Sequence, residues 1–442
     1  MFAITGLIGS GKSFVSSVIR EAGFDVLDAD SLAHELYKEN AQLRKKIAEE
    51  FGEEAVDDNG INRKFISNLV FNDSQKLELL ESLVYPVLTA EIEKRNPDFV
   101  EAAVLYKCPE LEKKMKQIWL VNTDENLRLE RLACRGKHIG LPLQAIGKYT
   151  RIINNNGTKE QCKKILNIPD IIQKNISLKK YTTFKIGGNA KFFAEPKNVD
   201  EIKALLVFCK EFEIPYFVLG RGSNVLFDEY NGLVIRICKG VLQYALTNLH
   251  SLIQNAANNG LGGLEKLEGI PGTIGGAIFM NAGAHGQQMS DCVKSVTSIT
   301  ESGEIKTRTK GECEFAYRSS IFKHLKEIIL SAEFDFIQMP KETIDKNRKE
   351  VLAWRKAKQP LQYPNAGSVF KNPPLQSAGA LIESCGLKGC AVGDAQVSEL
   401  HANFIVNKGN ATAHDVKALM EKIVQKVKEV HGVELEREIW MI

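Results

Sequence analysis

The chain has 442 residues, enough for about three domains at roughly 150 residues each. Its 58 basic and 55 acidic residues nearly balance, and no block of like charge indicates a nucleic-acid or polybasic membrane surface. No apolar run approaches the roughly 18 residues of a membrane span, and the start lacks the basic region of a secretory signal. Nine cysteines without Cys-x-x-Cys pairs are typical of reduced thiols. We expect a cytoplasmic protein that acts on small molecules, with no nucleic-acid or membrane partner; its oligomeric state stays open.

The amino-terminal residues predict a phosphate-binding loop. A β-like run, Phe2 to Thr5, leads into Gly6 to Ser13, which match G-x-x-x-x-G-K-[ST], and apolar residues then recur at helical spacing. In such a loop, backbone N–H groups wrap the phosphates, the lysine neutralises them and the last hydroxyl can ligate Mg²⁺. We find no guanine-specific N/T-K-x-D motif, which disfavours a GTPase. The predicted ATP-binding residues are Gly6, Gly9, Ser10, Gly11, Lys12 and Ser13, with Ser13 as the Mg²⁺ ligand.

Further along the chain, the predicted secondary-structure pattern changes near residues 165 to 176. Before that point a helical segment, Gln75 to Lys94, and an apolar strand, Ile118 to Val121, predict an α/β nucleotide-binding domain. After it, short β-like runs punctuated by glycine predict an α+β region. The last helix should begin at a Thr412 capping box and end at Gly432, with an apolar stripe that belongs to the core.

Three glycine-bearing segments dominate the second half of the chain. Glycine allows peptide N–H groups to approach a pyrophosphate closely, and none of the segments follows the strand-GxGxxG-helix pattern of a Rossmann site. They therefore predict a different dinucleotide-binding fold, and nearby His285 is expected to be an ordinary loop residue. The candidate cofactor-binding residues are Gly220, Arg221, Gly222, Ser223, Asn224, Gly269, Ile270, Pro271, Gly272, Thr273, Gly275, Gly276, Asn281, Ala282 and Gly283.

The first 165 residues resemble dephospho-CoA kinase. The resemblance is carried by the phosphate loop, by Val26 to Asp30, by Ala33-His34 and by Gly60 to Arg63. It implies an ATP-dependent kinase of coenzyme A synthesis, in which Asp30 orients the acceptor hydroxyl and accepts its proton while Arg63 lies near the substrate. Without the family pattern, Asp30 could instead cap a helix.

Several positions depart from the kinase pattern. Tyr85 replaces the histidine of the usual His-Pro pair, and Cys108 stands where a glutamate is usual. About eleven residues of the lid are missing after Arg131 and Arg135, and closing lids complete a phosphate clamp. The alternative is a degenerate, non-catalytic nucleotide-binding module.

Residues 177 to 442 resemble UDP-N-acetylenolpyruvoylglucosamine reductase, the family that makes UDP-N-acetylmuramate in peptidoglycan precursor synthesis. The glycine segments carry the resemblance together with Tyr181 to Gly188, Tyr317 to Ser320, Ala366 to Pro373 and Leu435 to Ile439. It implies non-covalent FAD reduced by NADPH, and a hydride passed to the enolpyruvyl double bond. The stretch between Arg318 and Ser368 is shorter than in the long form of the family, so the chain resembles the family's short form.

The resemblance also assigns the reacting residues. Arg318 stabilises the enol-like anion, Glu438 polarises the same oxygen region, and Ser368 donates a proton to carbon. Lys358 and Asn372 match positions that bind the UDP diphosphate and nearby groups. Each could alone be an ion pair, a turn hydroxyl or a solvated side chain, and a flavin oxidase for another small substrate is the rival function.

The sequence thus predicts a multidomain fusion of α/β and α+β parts. A P-loop kinase domain is followed by a two-lobed FAD-binding α+β module and an α+β substrate-binding domain. The predicted bounds are 1–167 for the kinase-like domain, 168–232 with tail 433–442 for the first FAD-binding lobe, 233–340 for the second lobe, and 341–432 for the UDP-sugar domain.

Overall fold

The computed structural model describes residues 1–71, 73–134, 147–237, 248–374 and 376–442. The chain divides into two compact units, Met1–Ile168 and Pro169–Ile442, called here unit 1 and unit 2. Arg135, next to the shortened lid, lies outside the described residues. Within the described ranges, no helix is both long and apolar enough to cross a bilayer, and the eight cysteines found there are all free thiols.

Unit 1 is built on a parallel sheet, as the predicted α/β class requires. Its strands are β1 (Phe2–Thr5), β2 (Val26–Asp28), β3 (Val56–Asp57), β4 (Gly60–Ile61), β5 (Phe99–Glu101), β6 (Gln117–Asn122) and β7 (Arg151–Asn154). Its helices are α1 (Lys12–Ala22), α2 (Ala29–Glu39), α3 (Ala41–Phe51), α4 (Arg63–Val70), α5 (Ser74–Arg95), α6 (Pro109–Lys114), α7 (Glu125–Ala133) and α8 (Lys159–Ile165). The five-stranded sheet has the order β2-β5-β1-β6-β7, and all its pairs are parallel. The carboxyl ends of β1, β2 and β5 therefore meet at one edge, where ligands of such sheets bind.

Unit 2 contains three principal sheets. Its strands are β8 (Gln173–Ser177), β9 (Asn189–Ala194), β10 (Tyr216–Leu219), β11 (Val225–Leu226), β12 (Tyr230–Arg236), β13 (Leu261–Gly262), β14 (Gly283–Ala284), β15 (Gln287–Gln288), β16 (Val293–Ile299), β17 (Ile305–Thr309), β18 (Ile328–Phe334), β19 (Ile337–Gln338), β20 (Asn365–Ser368), β21 (Ala391–Val392), β22 (Ala395–Val397), β23 (Phe404–Asn407) and β24 (Trp440–Met441). Its helices are α9 (Val199–Glu211), α10 (Leu249–Asn258), α11 (Ile274–Phe279), α12 (Lys341–Lys358), α13 (Ala378–Ser384) and α14 (Ala413–His431). The principal sheets have the orders β10-β12-β9-β8, β17-β16-β18 and β20-β23-β22-β21.

These sheets refine the predicted domain boundaries. The boundary at 232/233 falls inside β12, whose residues pair with β9 and β10 in one sheet. The predicted substrate domain, 341–432, includes α12, which packs against α10 and β13 of the second lobe. The tail strand β24 pairs with β11 of the first lobe. We propose that the first lobe extends through Arg236 and the second through Lys358.

Helix α14 begins and ends where the capping residues predicted, and it packs against the third sheet. Thr412 and Asp415 form a reciprocal capping box, and Gly432 ends the helix in a left-handed conformation. The apolar stripe is buried in a core with the β20–β23 sheet; its buried members are Val416, Leu419, Met420, Ile423 and Val427. This stripe is structural, as the sequence predicted.

Candidate functional site

The loop between β1 and α1 has the shape of a phosphate cradle. Gly9 and Gly11 both have φ of 88°, a left-handed conformation that favours glycine. A Cβ on Gly11 would lie 2.1 Å from Asn155 Nδ2, so no side chain fits there. Lys12 Nζ donates to the carbonyl oxygens of Gly6 at 2.9 Å and Leu7 at 3.4 Å. The loop thus carries its lysine cation at the place where phosphates would lie.

Residues from the last third of unit 1 hold this loop in place. Three groups donate to the carbonyl oxygen of Ser10: Asn155 Nδ2 at 2.9 Å, Thr123 Oγ1 at 2.8 Å and Arg131 Nη1 at 3.4 Å. Asn155 and Thr123 are buried, so this bonding is shielded from water. No local sequence pattern indicates this support, because its members lie more than 110 residues from the loop.

Glu101 is a candidate functional residue that no sequence motif indicates. It ends β5, which lies next to β1, and it is buried. Ser13 Oγ donates to its Oε1 at 2.7 Å, whereas its Oε2 and Ser10 Oγ have no hydrogen-bond partner in the described part of the chain. A hydroxyl and a carboxylate beside a phosphate loop form the donor set that holds Mg²⁺ with a nucleotide. These residues therefore fit Mg·ATP.

Asp30 and Arg63 line one cavity of about 400 Å³. Asp28, rather than Asp30, caps α2: its Oδ1 accepts from the N–H groups of Asp30 at 2.9 Å and Ser31 at 3.1 Å. Burial raises the pKa of the Asp30 carboxyl, and neighbouring Asp28 raises it further, whereas Lys12 opposes the shift. A carboxyl with a raised pKa beside a cavity suits a proton acceptor.

The positions that depart from the kinase pattern meet in the same cavity. Tyr85 and Cys108 both line it with Asp30. Burial, with Glu81 nearby, raises the pKa of Tyr85, so its hydroxyl stays protonated. Cys108 Sγ lies 3.5 Å from Thr89 Oγ1. The departures therefore alter the acceptor cavity and leave the phosphate loop itself unchanged.

Unit 2 contains a cleft of about 1530 Å³ that gathers the predicted cofactor and reacting residues. Its lining includes Arg318, Ser368 and Glu438. Of the candidate cofactor residues, the lining contains Gly220, Arg221, Gly222, Ser223, Asn224, Gly269, Ile270, Pro271, Gly272, Thr273, Gly275, Gly276, Ala282 and Gly283. Asn281 is buried outside this lining; its amide donates to Ala316 O at 3.0 Å and its Oδ1 accepts from Ser290 N at 3.0 Å.

The first and second glycine loops are in contact, and residues behind them leave little space for a side chain at Gly220. Ser223 Oγ donates to Pro271 O at 2.6 Å and joins the first loop to the second. A Cβ on Gly220 would lie 2.7 Å from Thr273 Oγ1, which caps α11. Gly272 is different, since a Cβ there would meet nothing closer than 3.9 Å. Such a cradle fits the close approach of a pyrophosphate.

One hydrogen bond joins Arg318 to Glu438, and a second joins the backbone of Glu438 to the residue after Ser368. Arg318 Nε donates to Glu438 Oε1 at 2.8 Å, and the backbone N–H of Glu438 donates to Val369 O at 2.8 Å, next to Ser368. Arg318 Nη2 also donates to Gly283 O at 2.9 Å, at the third glycine segment. Burial raises the pKa of the Glu438 carboxyl, although Arg318 opposes the shift.

Lys323 belongs to the same constellation and was missed from the sequence. Its Nζ donates to Arg318 O at 2.5 Å and lies 5.6 Å from the centre of the Trp440 ring. Arg318 has φ of 54°, which is unusual for a residue with a side chain, and the bond from Lys323 stabilises that backbone. Burial lowers the pKa of the Lys323 ammonium, and Lys371 lowers it further.

Three other predicted positions have different surroundings. Lys358 ends α12, is exposed and lies outside the cleft lining. Asn372 is also exposed, and its Oδ1 accepts from Ala378 N at 3.1 Å. His285, predicted to be a loop residue, lies in the turn between β14 and β15 and lines the cleft.

Comparison with known proteins gives matches for both units. A dephospho-CoA kinase family model matches residues 1–161. A model named FAD binding domain matches residues 190–308, and one for the carboxy-terminal domain of UDP-N-acetylenolpyruvoylglucosamine reductase matches residues 359–442. Both predicted family resemblances and the predicted fold class are thereby confirmed.

Individual relatives agree with the reductase match. The UDP-N-acetylenolpyruvoylglucosamine reductase of Protochlamydia amoebophila is 44% identical over 285 residues, which span 62% of this chain and 95% of that protein. The reductase of Agathobacter rectalis is 42% identical, over 60% of this chain and 92% of that protein. The crystal structure of the reductase from Thermus caldophilus matches with a TM-score of 0.53 at 39% identity, over 60% of this chain and 97% of that one. The chain therefore belongs to the UDP-N-acetylenolpyruvoylglucosamine reductase family, here fused to an amino-terminal dephospho-CoA kinase domain.

Proposed function

We propose that unit 2 reduces UDP-N-acetylenolpyruvoylglucosamine to UDP-N-acetylmuramate with NADPH, and that unit 1 phosphorylates dephospho-CoA with Mg·ATP. The observation that carries the first activity is the single cleft that contains the glycine loops with Arg318, Ser368 and Glu438. Its volume of about 1530 Å³ exceeds the roughly 300–1,000 Å³ of an ordinary one-ligand site, so a dinucleotide and a second ligand fit side by side. Both reactions use soluble coenzymes, which supports a cytoplasmic location.

The residues of the cleft suit addition of hydrogen to a vinyl ether. Bound FAD would supply the hydride, which it gains from NADPH. When the hydride adds to one carbon of the enolpyruvyl double bond, negative charge spreads onto the adjacent carboxylate. Arg318 stabilises that charge with fixed donors, and Glu438 holds the guanidinium in place through Nε. The Ser368 hydroxyl then donates its proton to the other carbon, and solvent returns a proton to the serine.

Unit 1 presents the groups needed for phosphoryl transfer. Lys12 would neutralise the β and γ phosphates, and Ser13 with Glu101 would hold Mg²⁺. Asp30 would accept the proton of the acceptor hydroxyl, with Arg63 binding the substrate in the same cavity. A non-catalytic nucleotide-binding module is less favoured, because it would need neither the raised pKa of Asp30 nor a buried Glu101 Oε2 that has no partner among the described residues.

Two half-reactions of the purified full-length protein test the reductase. NADPH should bleach the flavin absorbance, and UDP-N-acetylenolpyruvoylglucosamine should restore it without oxygen. Ser368→Ala should leave flavin reduction nearly intact and slow reoxidation by about 10²–10⁴-fold. Failure of this substrate to reoxidise the reduced flavin would rule out the reductase and leave the flavin oxidase as the rival function. Equal loss in both half-reactions would remove Ser368 from the role of proton donor.

A separate assay tests the kinase. Formation of ADP should depend on dephospho-CoA and Mg²⁺, and Lys12→Ala should abolish it. A wild-type rate no higher than that of Lys12→Ala would establish the non-catalytic alternative. The reductase half-reactions of Lys12→Ala should be unchanged, because unit 2 contains its own cleft, and they control for the amount of intact protein in the assay.

A further inference from the structure

Trp354 is a large apolar side chain exposed inside the cleft. It lies near the end of α12, lines the cleft and is 42% exposed. The ring of His285 packs against it edge-to-face, with centroids 4.7 Å apart at 87°. Leu361, which is 57% exposed, also lines the cleft. An exposed aromatic and aliphatic patch inside a cleft marks a place where a ligand buries apolar surface.

The helix that carries Trp354 is fixed to the cofactor loops. The next residue, Arg355, is buried, and its Nε donates to Glu268 O at 2.9 Å, just before Gly269. Its side chain also packs so closely on Gly269 that a Cβ there would lie 2.9 Å from Arg355 Cδ. The indole is therefore held at a defined position relative to the second glycine loop, while much of its surface stays open.

A cation follows one helical turn later. Lys358 is four residues after Trp354 on α12, so the two side chains share a face, and helical side chains lean towards the preceding turn. Lys358 is exposed and forms no ion pair with any residue in the described ranges. An open aromatic ring with an exposed cation one turn away matches a nucleotide, whose base stacks and whose phosphates carry charge.

We propose that Trp354, held by His285, is the stacking platform for the base of the nucleotide ligand that occupies the cleft beside the flavin; the family resemblance already implies Lys358 as a contact of the diphosphate. This inference rests on the proposed reductase function and adds a base-binding subsite to it. Two ligands of that reaction carry a suitable base, namely uracil in the UDP-sugar and adenine in NADPH.

Binding to the FAD-loaded full chain separates these sources. The probes are uridine, UDP and NADP⁺, titrated by calorimetry against wild type, Trp354→Ala, Trp354→Phe and Lys358→Gln. Loss of one base stack corresponds to a roughly 5- to 100-fold weaker Kd. For a uracil platform, Trp354→Ala should weaken uridine and UDP equally, Trp354→Phe should recover most of the loss, and Lys358→Gln should weaken UDP only. For an adenine platform, Trp354→Ala should weaken NADP⁺ alone.

The same variants distinguish a wrong base-binding subsite from a wrong reductase assignment. Val430→Ala, an exposed apolar change on α14 outside the cleft lining, is the control and should bind every probe as wild type does. Unchanged Kd values in Trp354→Ala, alongside normal wild-type half-reactions, would overturn the platform and leave the reductase intact. Equal weakening of all probes with loss of FAD would also overturn it, because the ring would then be a structural support. Wild type that fails both half-reactions would refute the reductase itself.

Discussion

Arg318 and Glu438 are 120 residues apart in the chain, yet Arg318 Nε donates to Glu438 Oε1 at 2.8 Å. The pair is partly buried, with side chains 21% and 14% exposed, so solvent screens it less than a surface pair. Glu438 thus orients the guanidinium, and Arg318 offsets part of the cost of burying the carboxylate. The pair joins the second lobe to the carboxy-terminal tail at the place where substrate charge would develop.

Replacement of Arg318 by lysine keeps the positive charge and removes the planar donor fork. We expect Arg318→Lys to slow flavin reoxidation by the UDP-sugar about 10²–10³-fold, since directed donors stabilise the developing anion. Flavin reduction by NADPH should change much less. Arg437→Lys, an exposed neighbour in the tail, is the matched control. Stopped-flow absorbance measures both steps, and reoxidation of Arg318→Lys at the wild-type rate would show that the guanidinium geometry is unnecessary.

Glu438 connects the site to the pH dependence of stability. Burial raises the pKa of its carboxyl in the folded protein, so the folded state holds this proton more tightly than the unfolded state does. Ionisation of Glu438 therefore destabilises the folded protein. The free energy of unfolding begins to fall as pH passes the unfolded pKa, about 4.3, and it falls until pH exceeds the raised folded pKa. Glu438→Gln should raise the thermal midpoint of unit 2 near pH 7.5 and lose that advantage at acidic pH, while flavin reoxidation slows.

Heating with flavin release as the signal, at matched FAD concentration, measures that midpoint. Glu436→Gln is the control, because Glu436 is exposed in the same tail. If Glu438→Gln were less stable than wild type at every pH, its pairing with Arg318 would outweigh its burial, contrary to the raised pKa.

The sequence predicted the sites whose residues are close together in the chain or belong to a family pattern. The phosphate loop is one uninterrupted segment, and the three glycine segments are recognisable individually. Glu101 was missed because an acid at the end of a strand has no distinctive spacing, and its contact with Ser13 spans 88 residues. Lys323 was missed for another reason: its acceptor is the carbonyl oxygen of Arg318, whose left-handed backbone no local pattern specifies.

The domain boundaries illustrate a similar limit. The predicted boundary at 232/233 falls within β12, because pairing with β9 and β10 continues the strand to Arg236. The sequence of α12 does not indicate which of its two neighbouring domains the helix packs against. Only tertiary contacts such as the bond from Arg355 to Glu268 assign it to the second lobe.

Gly272 allows the cofactor's approach to be tested without disturbing the protein. A Cβ there meets nothing closer than 3.9 Å, so Gly272→Ala should fold as wild type does. If a pyrophosphate lies against this peptide, the added methyl group should weaken FAD binding, by about tenfold or more, through steric exclusion. Fluorescence titration of the apoprotein with FAD measures the affinity. Gly311→Ala, where the added Cβ meets open space, should bind FAD normally, and equal affinities in the two variants would locate the pyrophosphate elsewhere.

Glu101 provides the sharpest test of unit 1. Its Oε2 is buried without a partner in the described part of the chain, a costly arrangement unless a cation binds there. Glu101→Gln removes the charge at nearly constant shape, so unit 1 should remain folded and at least as stable as wild type. Turnover with Mg·ATP and dephospho-CoA should fall at least about 100-fold, because metal-assisted charge stabilisation contributes several kcal/mol. Glu53→Gln, an exposed change, should leave turnover unchanged. A Glu101→Gln variant with wild-type turnover and Mg²⁺ dependence would assign Mg²⁺ to other ligands, and the carboxylate would then serve only to orient Ser13.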